Sequence, residues 1–123
     1  MKAFKTRIFH RSATKAGVAD AALLDAVTQM ERGLIDADPG GNLFKQRVAL
    51  PGRGKSGSTR TILATQFAGV MFFIYGFEKS ERDNISAKEL EALNTAGSVL
   101  LGLNSDELKR AIARGELKEM DDA

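Results

Sequence analysis

The segment AGVMFFIYGF, residues 68–77, limits the possible folds most, because it is apolar on both faces. Such a segment is typical of a central strand that is covered on two sides. Two other strand candidates precede it: LFKQRVAL (43–50) alternates in character, and STRTILATQF (58–67) is β-branched and half polar. Turn signals separate the three, including the Gly-rich connector PGRGKSG (51–57). The simplest interpretation is an antiparallel meander.

The N-terminal third predicts one strand and helical structure. Residues 3–9, AFKTRIF, alternate between apolar and polar side chains, which indicates a first strand. A short helical turn follows over residues 12–17. Apolar residues then recur at helical spacing over residues 20–32, with an aspartate as N-cap and a glycine directly after the segment. ADPGGN (37–42) is expected to be a loop.

Two capping signals follow the meander. Ser86 with Glu89 has the spacing of a capping box, and it predicts a helix that runs to about residue 101. Asn104 with Glu107 predicts a second helix that ends near residue 115. Both helices are amphipathic, so we expect them to pack on the sheet; a surface for a partner protein or for a second copy of the chain is the alternative.

Helices early, a sheet in the middle and helices last predict an α+β fold. In this arrangement the N-terminal helices cover one face of the antiparallel sheet, and the other face stays partly open to solvent. The acidic tail ELKEMDDA is expected to fray.

Length and composition favour a single intracellular domain. A chain of 123 residues buries a core without covalent cross-links, and it has no cysteine for disulfides, thiolate catalysis or Cys-based zinc sites. Its longest apolar run, residues 69–77, is far shorter than the roughly 20 residues of a membrane helix. We therefore expect a cytoplasmic protein that has no contact with a membrane.

Charge is distributed unevenly along the chain. Residues 39–77 contain five basic side chains and no Asp or Glu, although the whole chain has 18 basic and 16 acidic residues. Such a segment creates a local positive field that suits phosphate-rich ligands. Lys45 and Arg47 share a strand face because side chains alternate, and Arg60 lies on the neighbouring strand. The candidate phosphate-binding set also includes the side chains Arg53, Lys55, Lys79 and Arg82.

Other interpretations of these residues compete with phosphate binding. Lysines and arginines also keep an ordinary strand face solvated. A two-histidine ribonuclease mechanism is excluded, because His10 is the one histidine; it is expected at the surface or as a cap. A magnesium nuclease needs clustered carboxylates. The carboxylates nearest to the basic residues are Glu78, Glu81 and Asp83, and we interpret them as partners of Lys79 and Arg82. No metal or other cofactor is therefore expected. GRGKSG lacks the spacing of a P-loop.

The order of the elements and the residues LFKQRVALPGRGKSGSTRTILA…FFIYGFEKSERDNIS resemble the RelE/HigB-like toxins of type II toxin–antitoxin modules. Members of this branch carry the pattern K-x-R…PG-x-GKSGG-x-R…F-x-YGF-x-KSERDNI, which this chain matches except for GKSGS in place of GKSGG. The resemblance covers about residues 1–93, which leaves a C-terminal helical extension over about 94–120 of the single domain 1–123. It implies a small α+β fold with helices on a curved antiparallel sheet.

The resemblance also implies an activity and partners. Such toxins cleave mRNA in the ribosomal A site without a metal. Each is neutralised by a cognate antitoxin, often a helix-turn-helix protein, in a hetero-oligomeric complex. The best-known members use a C-terminal Tyr or His for proton transfer. This chain has no counterpart at that position, and its one tyrosine, Tyr75, lies inside the apolar strand.

The resemblance matches these basic residues to the family's functional positions, and the chemistry of the cleavage suggests a role for each. Lys45 is the hypothetical base, Arg60 with Arg47 clamps the phosphate, and Lys79 assists the leaving group. Two other functions stay open: a related toxin that poisons a protein such as DNA gyrase without cutting RNA, and an RNA-binding module without catalysis. Relatives that act on gyrase lack this basic constellation, and exposed aromatic platforms for bases are missing from the sequence.

Overall fold

The computed structural model describes residues 1–50, 54–78 and 85–120; for residue 50 and residues 54–58 it describes the backbone alone. Within these ranges the elements follow one another along the chain as β1 (Lys2–Thr6), α1 (Arg7–Ala16), α2 (Asp20–Glu31), β2 (Ala37–Gly40), β3 (Leu43–Leu50), β4 (Gly54–Thr65), β5 (Val70–Glu78), α3 (Ala87–Leu101), α4 (Ser105–Ala113) and β6 (Leu117–Met120). Within the described ranges, no helix combines the length and apolar character needed to cross a membrane.

The strands form one mixed sheet in the order β2-β3-β4-β5-β1-β6. Strands β3, β4 and β5 pair antiparallel, which confirms the predicted meander and the α+β class. The prediction of a purely antiparallel sheet is wrong in one place, since β1 runs parallel to β5. A parallel neighbour needs a long crossover connection, and α1, α2 and three strands separate β1 from β5 along the chain.

Three local predictions are corrected. The first strand ends at Thr6, whose hydroxyl accepts a hydrogen bond from the Phe9 N–H (3.1 Å) and so starts α1. The expected loop at residues 37–42 contains β2, which pairs with β3. Residues 117–120 of the tail expected to fray form β6, because Leu117 and Met120 are buried and the strand pairs with β1; residues 121–123 lie outside the described residues.

Helices pack on both faces of the sheet, but the face that carries α3 and α4 stays partly open beside Lys45, Arg47 and Arg60, as expected for the second face. Helices α1 and α2 pack on one face, where Leu23 and Met30 belong to the same buried cluster as Phe73. Helices α3 and α4 pack on the other, in a cluster that contains Phe4 and Phe72. Both predicted capping boxes are present. The C-terminal helices therefore do pack on the sheet.

Helix α3 approaches the sheet closely at Gly97. A Cβ atom added there would lie 3.1 Å from the Ala64 Cβ and 3.2 Å from a Leu43 methyl carbon. The absence of a side chain thus sets how near α3 lies to β3 and β4. Lys45, Arg47 and Arg60 lie further along these two strands and on the same face, beyond this contact.

The close contact at Gly97 predicts a large difference between neighbouring substitutions. Gly97→Val should lower the free energy of unfolding by about 1–3 kcal/mol more than Ser98→Val, because overpacking displaces the helix. Ser98 is exposed on the same helix, so it controls for the helix propensity of valine. Urea unfolding measures both variants, and equal midpoints would contradict the packing argument.

His10 lies inside α1 and is half-buried, and its Nδ1 is buried without a hydrogen-bond partner among the described residues. Burial lowers the pKa of His10, and the positive charges of Lys5 and Lys118 lower it further, while Asp20 opposes them. Protonation is therefore less favourable in the folded chain than in the unfolded one. The folded state loses stability as the pH falls below the ordinary histidine value of 6.5.

We expect His10→Gln to remove this pH dependence. Between pH 7.5 and 5.5 the wild type should lose more free energy of unfolding than the variant, because the unfolded wild type gains a proton that the folded form binds less well. Parallel stability curves for the two proteins over this interval would refute the assignment.

Candidate functional site

A cleft of about 250 Å³ opens beside the middle of β3 and β4. Three predicted site residues, Lys45, Arg47 and Arg60, line it together. Its other lining residues are Asp36, Ala37, Gln46, Thr61, Ile62 and Phe77. The cleft therefore gathers cations from two neighbouring strands, as the alternation of side chains predicts.

The pairing of β3 with β4 determines how near these cations lie to one another. Arg47 is directly opposite Arg60, and Lys45 is opposite Ile62. The Arg47 N–H donates to the Asp36 carboxylate (2.6 Å) rather than across to β4. Arg47 and Arg60 thus form a non-hydrogen-bonded pair, the type in which opposing Cα atoms are only about 4.5 Å apart and side chains are closest.

A β-bulge in β5 supplies the apolar wall of the cleft. Leu63 pairs with Phe73, but Ile62 pairs with Tyr75, so β5 contains one extra residue at this point. One extra residue reverses the facing of every side chain that follows it. As a result Phe77 lies opposite Arg60 and lines the cleft, instead of facing the α1–α2 side as Phe73 does.

Asp36 is an acidic residue of the cleft that the sequence analysis missed. One carboxylate oxygen lies 3.5 Å from an Arg47 guanidinium nitrogen, and the other accepts the Arg47 N–H. Asp36 precedes the acid-free segment 39–77, but the α2–β2 connection carries it back against β3. A segment without acids is therefore not a surface without acids, and no pattern in the sequence signals this contact.

For the remaining predicted site residues the structure gives no side-chain position relative to the cleft. Lys55 belongs to β4, but the description of its position is limited to the backbone. Arg53, Lys79 and Arg82 lie outside the described residues. Glu78, which we interpreted as a partner of Lys79 and Arg82, accepts a hydrogen bond from the Thr59 hydroxyl (3.0 Å).

A second and larger cavity, of about 450 Å³, lies between α1 and the ends of β4 and β5. Lys15 is its cationic lining residue, and Phe9 and Val18 give it apolar walls. It lies on the α1 side of the sheet, away from the three cations. The smaller cleft is thus the better site for an anion, because two guanidinium groups and an ammonium group meet there.

Like charges that face each other across a strand pair destabilise it. We expect Arg60→Gln to raise the free energy of unfolding by about 0.2–1 kcal/mol, since it removes the repulsion from Arg47. Arg47→Gln should give no such gain, because it also breaks the ion pair with Asp36. Urea unfolding at low and high salt measures both, and the Arg60 effect should shrink at high salt. A destabilised Arg60→Gln protein would contradict the prediction.

Comparison with known proteins adds one finding to this geometry. The sequence model of a family described as "RelE toxin of RelE / RelB toxin-antitoxin system" matches residues 1–120. No curated protein sequence matches the chain. The matched region includes every described helix and strand and all three cations of the cleft. The chain therefore belongs to the RelE toxin family, as the toxin of a toxin–antitoxin pair whose partner is an antitoxin.

Proposed function

We propose that the protein is a ribosome-dependent, metal-independent endoribonuclease that inhibits translation by cutting mRNA in the ribosomal A site. The observation that carries this proposal is the convergence of Lys45, Arg47 and Arg60 in one cleft. In the proposal the toxin acts in the cytoplasm, and a helix-turn-helix antitoxin neutralises it in a hetero-oligomer. The KSERDNI motif supports a HigB-like branch of the family.

The reaction needs three contributions from the protein. The 2′-hydroxyl of a nucleotide loses its proton and attacks the adjacent phosphorus, so a 2′,3′-cyclic phosphate forms. The crowded phosphate gains negative charge in the transition state, and the bond to the 5′-oxygen breaks. That oxygen then takes up a proton to leave as a 5′-hydroxyl.

Arg60 and Arg47 supply the charge. Their side chains start from a close cross-strand pair, so two planar guanidinium groups face the same anion, and each can form paired hydrogen bonds with phosphate oxygens. Hydrogen-bond donors that already point to the oxygens where negative charge develops do not have to reorganise during the reaction. Removal of one such donor typically raises the barrier by about 3–4 kcal/mol.

Lys45 is proposed as the base and Lys79 as the group that protonates the leaving oxygen. Lys45 lies two residues before Arg47 on the same strand face, and it lines the cleft that would hold the phosphate. Its half-buried position limits its access to bulk water. The role of Lys79 rests on the sequence resemblance, since this residue lies outside the described ranges.

Two cleft variants with matched controls test the proposal. Arg60→Gln should slow mRNA cleavage on translating ribosomes by about 10²–10³-fold, since it removes a charged donor from the transition state. Lys45→Met should also slow it, whereas Arg32→Gln and Lys88→Met, exposed and outside the cleft, should cut at the wild-type rate. The measurement is the single-turnover appearance of mapped mRNA ends.

The cleavage assay, together with measurements of RNA binding and of DNA supercoiling, separates the alternatives. Cleavage at the wild-type rate by both cleft variants would refute the assigned roles. Wild-type binding to RNA without new mRNA ends would indicate an RNA-binding module. An intact message together with loss of DNA supercoiling activity would indicate a toxin that acts on gyrase.

A further inference from the structure

The α2–β2 connection is fixed to β3 by a buried glutamine. The Gln46 side chain is almost completely buried, and both ends of its amide are used. Its Nε2 donates to the Leu34 carbonyl (2.9 Å), and its Oε1 accepts the Asp36 N–H (3.1 Å). Since a buried amide seldom lacks partners, these two bonds hold residues 34–36 at one place on the outer edge of β3.

The same glutamine joins this connection to the cleft. Its backbone carbonyl accepts a hydrogen bond from the Thr61 hydroxyl (2.7 Å), so the position of β3 is also fixed relative to β4. Gln46 and Thr61 are cross-strand partners, next to the Arg47–Arg60 pair. The backbone that carries both arginines and the backbone of Asp36 therefore belong to one hydrogen-bonded unit.

Asp36 completes the unit with two contacts to Arg47. One carboxylate oxygen accepts the Arg47 N–H at a point on the β3 edge beyond the last residue that pairs with β2. The other lies 3.5 Å from a terminal guanidinium nitrogen. A guanidinium group has five N–H donors, so this contact leaves the remaining donors for a second anion.

We propose that Asp36 is a positioning residue, which holds the Arg47 guanidinium beside Arg60 in the geometry that the scissile phosphate requires; this inference rests on the proposed function. Without Asp36 the two arginines repel each other, and the half-exposed Arg47 side chain has many rotamers. With Asp36 in place, two guanidinium groups of like charge stay together in the absence of RNA.

A solvated surface ion pair is the competing explanation, because such pairs often contribute nothing measurable. Two observations favour positioning. The carboxylate binds the backbone as well as the side chain of Arg47, which removes the freedom of the pair to rotate away. The Asp36 backbone is itself held by a buried side chain, not by solvent-exposed groups.

Asp36→Asn is the decisive variant. An asparagine keeps an oxygen that can accept the Arg47 N–H but loses the charge that attracts the guanidinium. Asp36 is exposed, so the core stays intact. Asp38→Asn is the matched control: Asp38 is a nearby exposed acid whose carboxylate accepts the Gly40 N–H, outside the cleft.

On ribosomes saturated with toxin, we expect Asp36→Asn to cut mRNA about 10–100-fold more slowly, while its half-saturating concentration changes by less than about 3-fold. Asp38→Asn should match the wild type. The double variant Asp36→Asn/Arg47→Lys should be no slower than Arg47→Lys alone, because both act through one guanidinium group. Wild-type cleavage by Asp36→Asn, or full additivity in the double variant, would overturn the inference.

A second measurement does not depend on cleavage. The ¹⁵N–¹H signal of the Arg47 Nε, assigned with Arg47→Lys, should report a rigid side chain in the wild type and a mobile one in Asp36→Asn. Equal mobility in both proteins would overturn the positioning role even in a toxin that cuts RNA. A rigid wild-type arginine in a protein that makes no mRNA ends would instead refute the proposed function and leave the contact standing.

Discussion

The pairing of β3 with β4 is the constraint on which the rest of the site depends. Its register places Arg47 opposite Arg60, and the bond from the Thr61 hydroxyl to the Gln46 carbonyl fixes that register. A slip of one residue would move both arginines away from each other and turn one set of side chains to the opposite face. The cleft therefore depends on this single register of β3 and β4.

This alignment brings together groups that repel each other, so binding and stability make opposite demands on the same two residues. Two guanidinium groups in a close cross-strand pair weaken the strand pairing in the absence of an anion. Among the described residues, Asp36 is the acid that lines the cleft, and it compensates the charge of Arg47 from the side. The rest of the stabilisation comes from the apolar clusters on the two faces of the sheet.

One face of the sheet serves both packing and binding, at different ends. Helix α3 comes close to the sheet at Gly97, where it covers Leu43 and Ala64. Beyond this contact the same face carries the three cations, and the bulge in β5 brings Phe77 to it. A packed end and an open end on one face give the site a rigid base.

Features that depend on near neighbours in the chain were readable from the sequence. The capping boxes at Ser86 and Asn104 were predicted and are present, because each joins residues only three positions apart. The meander and the shared face of Lys45 and Arg47 were readable for a similar reason, since the strand period of two needs no distant information. Strand β3 has the predicted bounds.

The tertiary structure decided whatever depends on contacts between distant segments. The alternation in residues 3–9 predicted the first strand but not where it ends, and the Thr6 cap determined where α1 begins. The parallel position of β1, the pairing of β6, the bulge in β5 and the contact of Asp36 with Arg47 each join segments whose local patterns permit several arrangements. The sequence by itself thus determined which side chains are available for phosphate, and packing of the whole chain decided which of them meet, because burial and hydrogen bonding are satisfied only when every segment is in place.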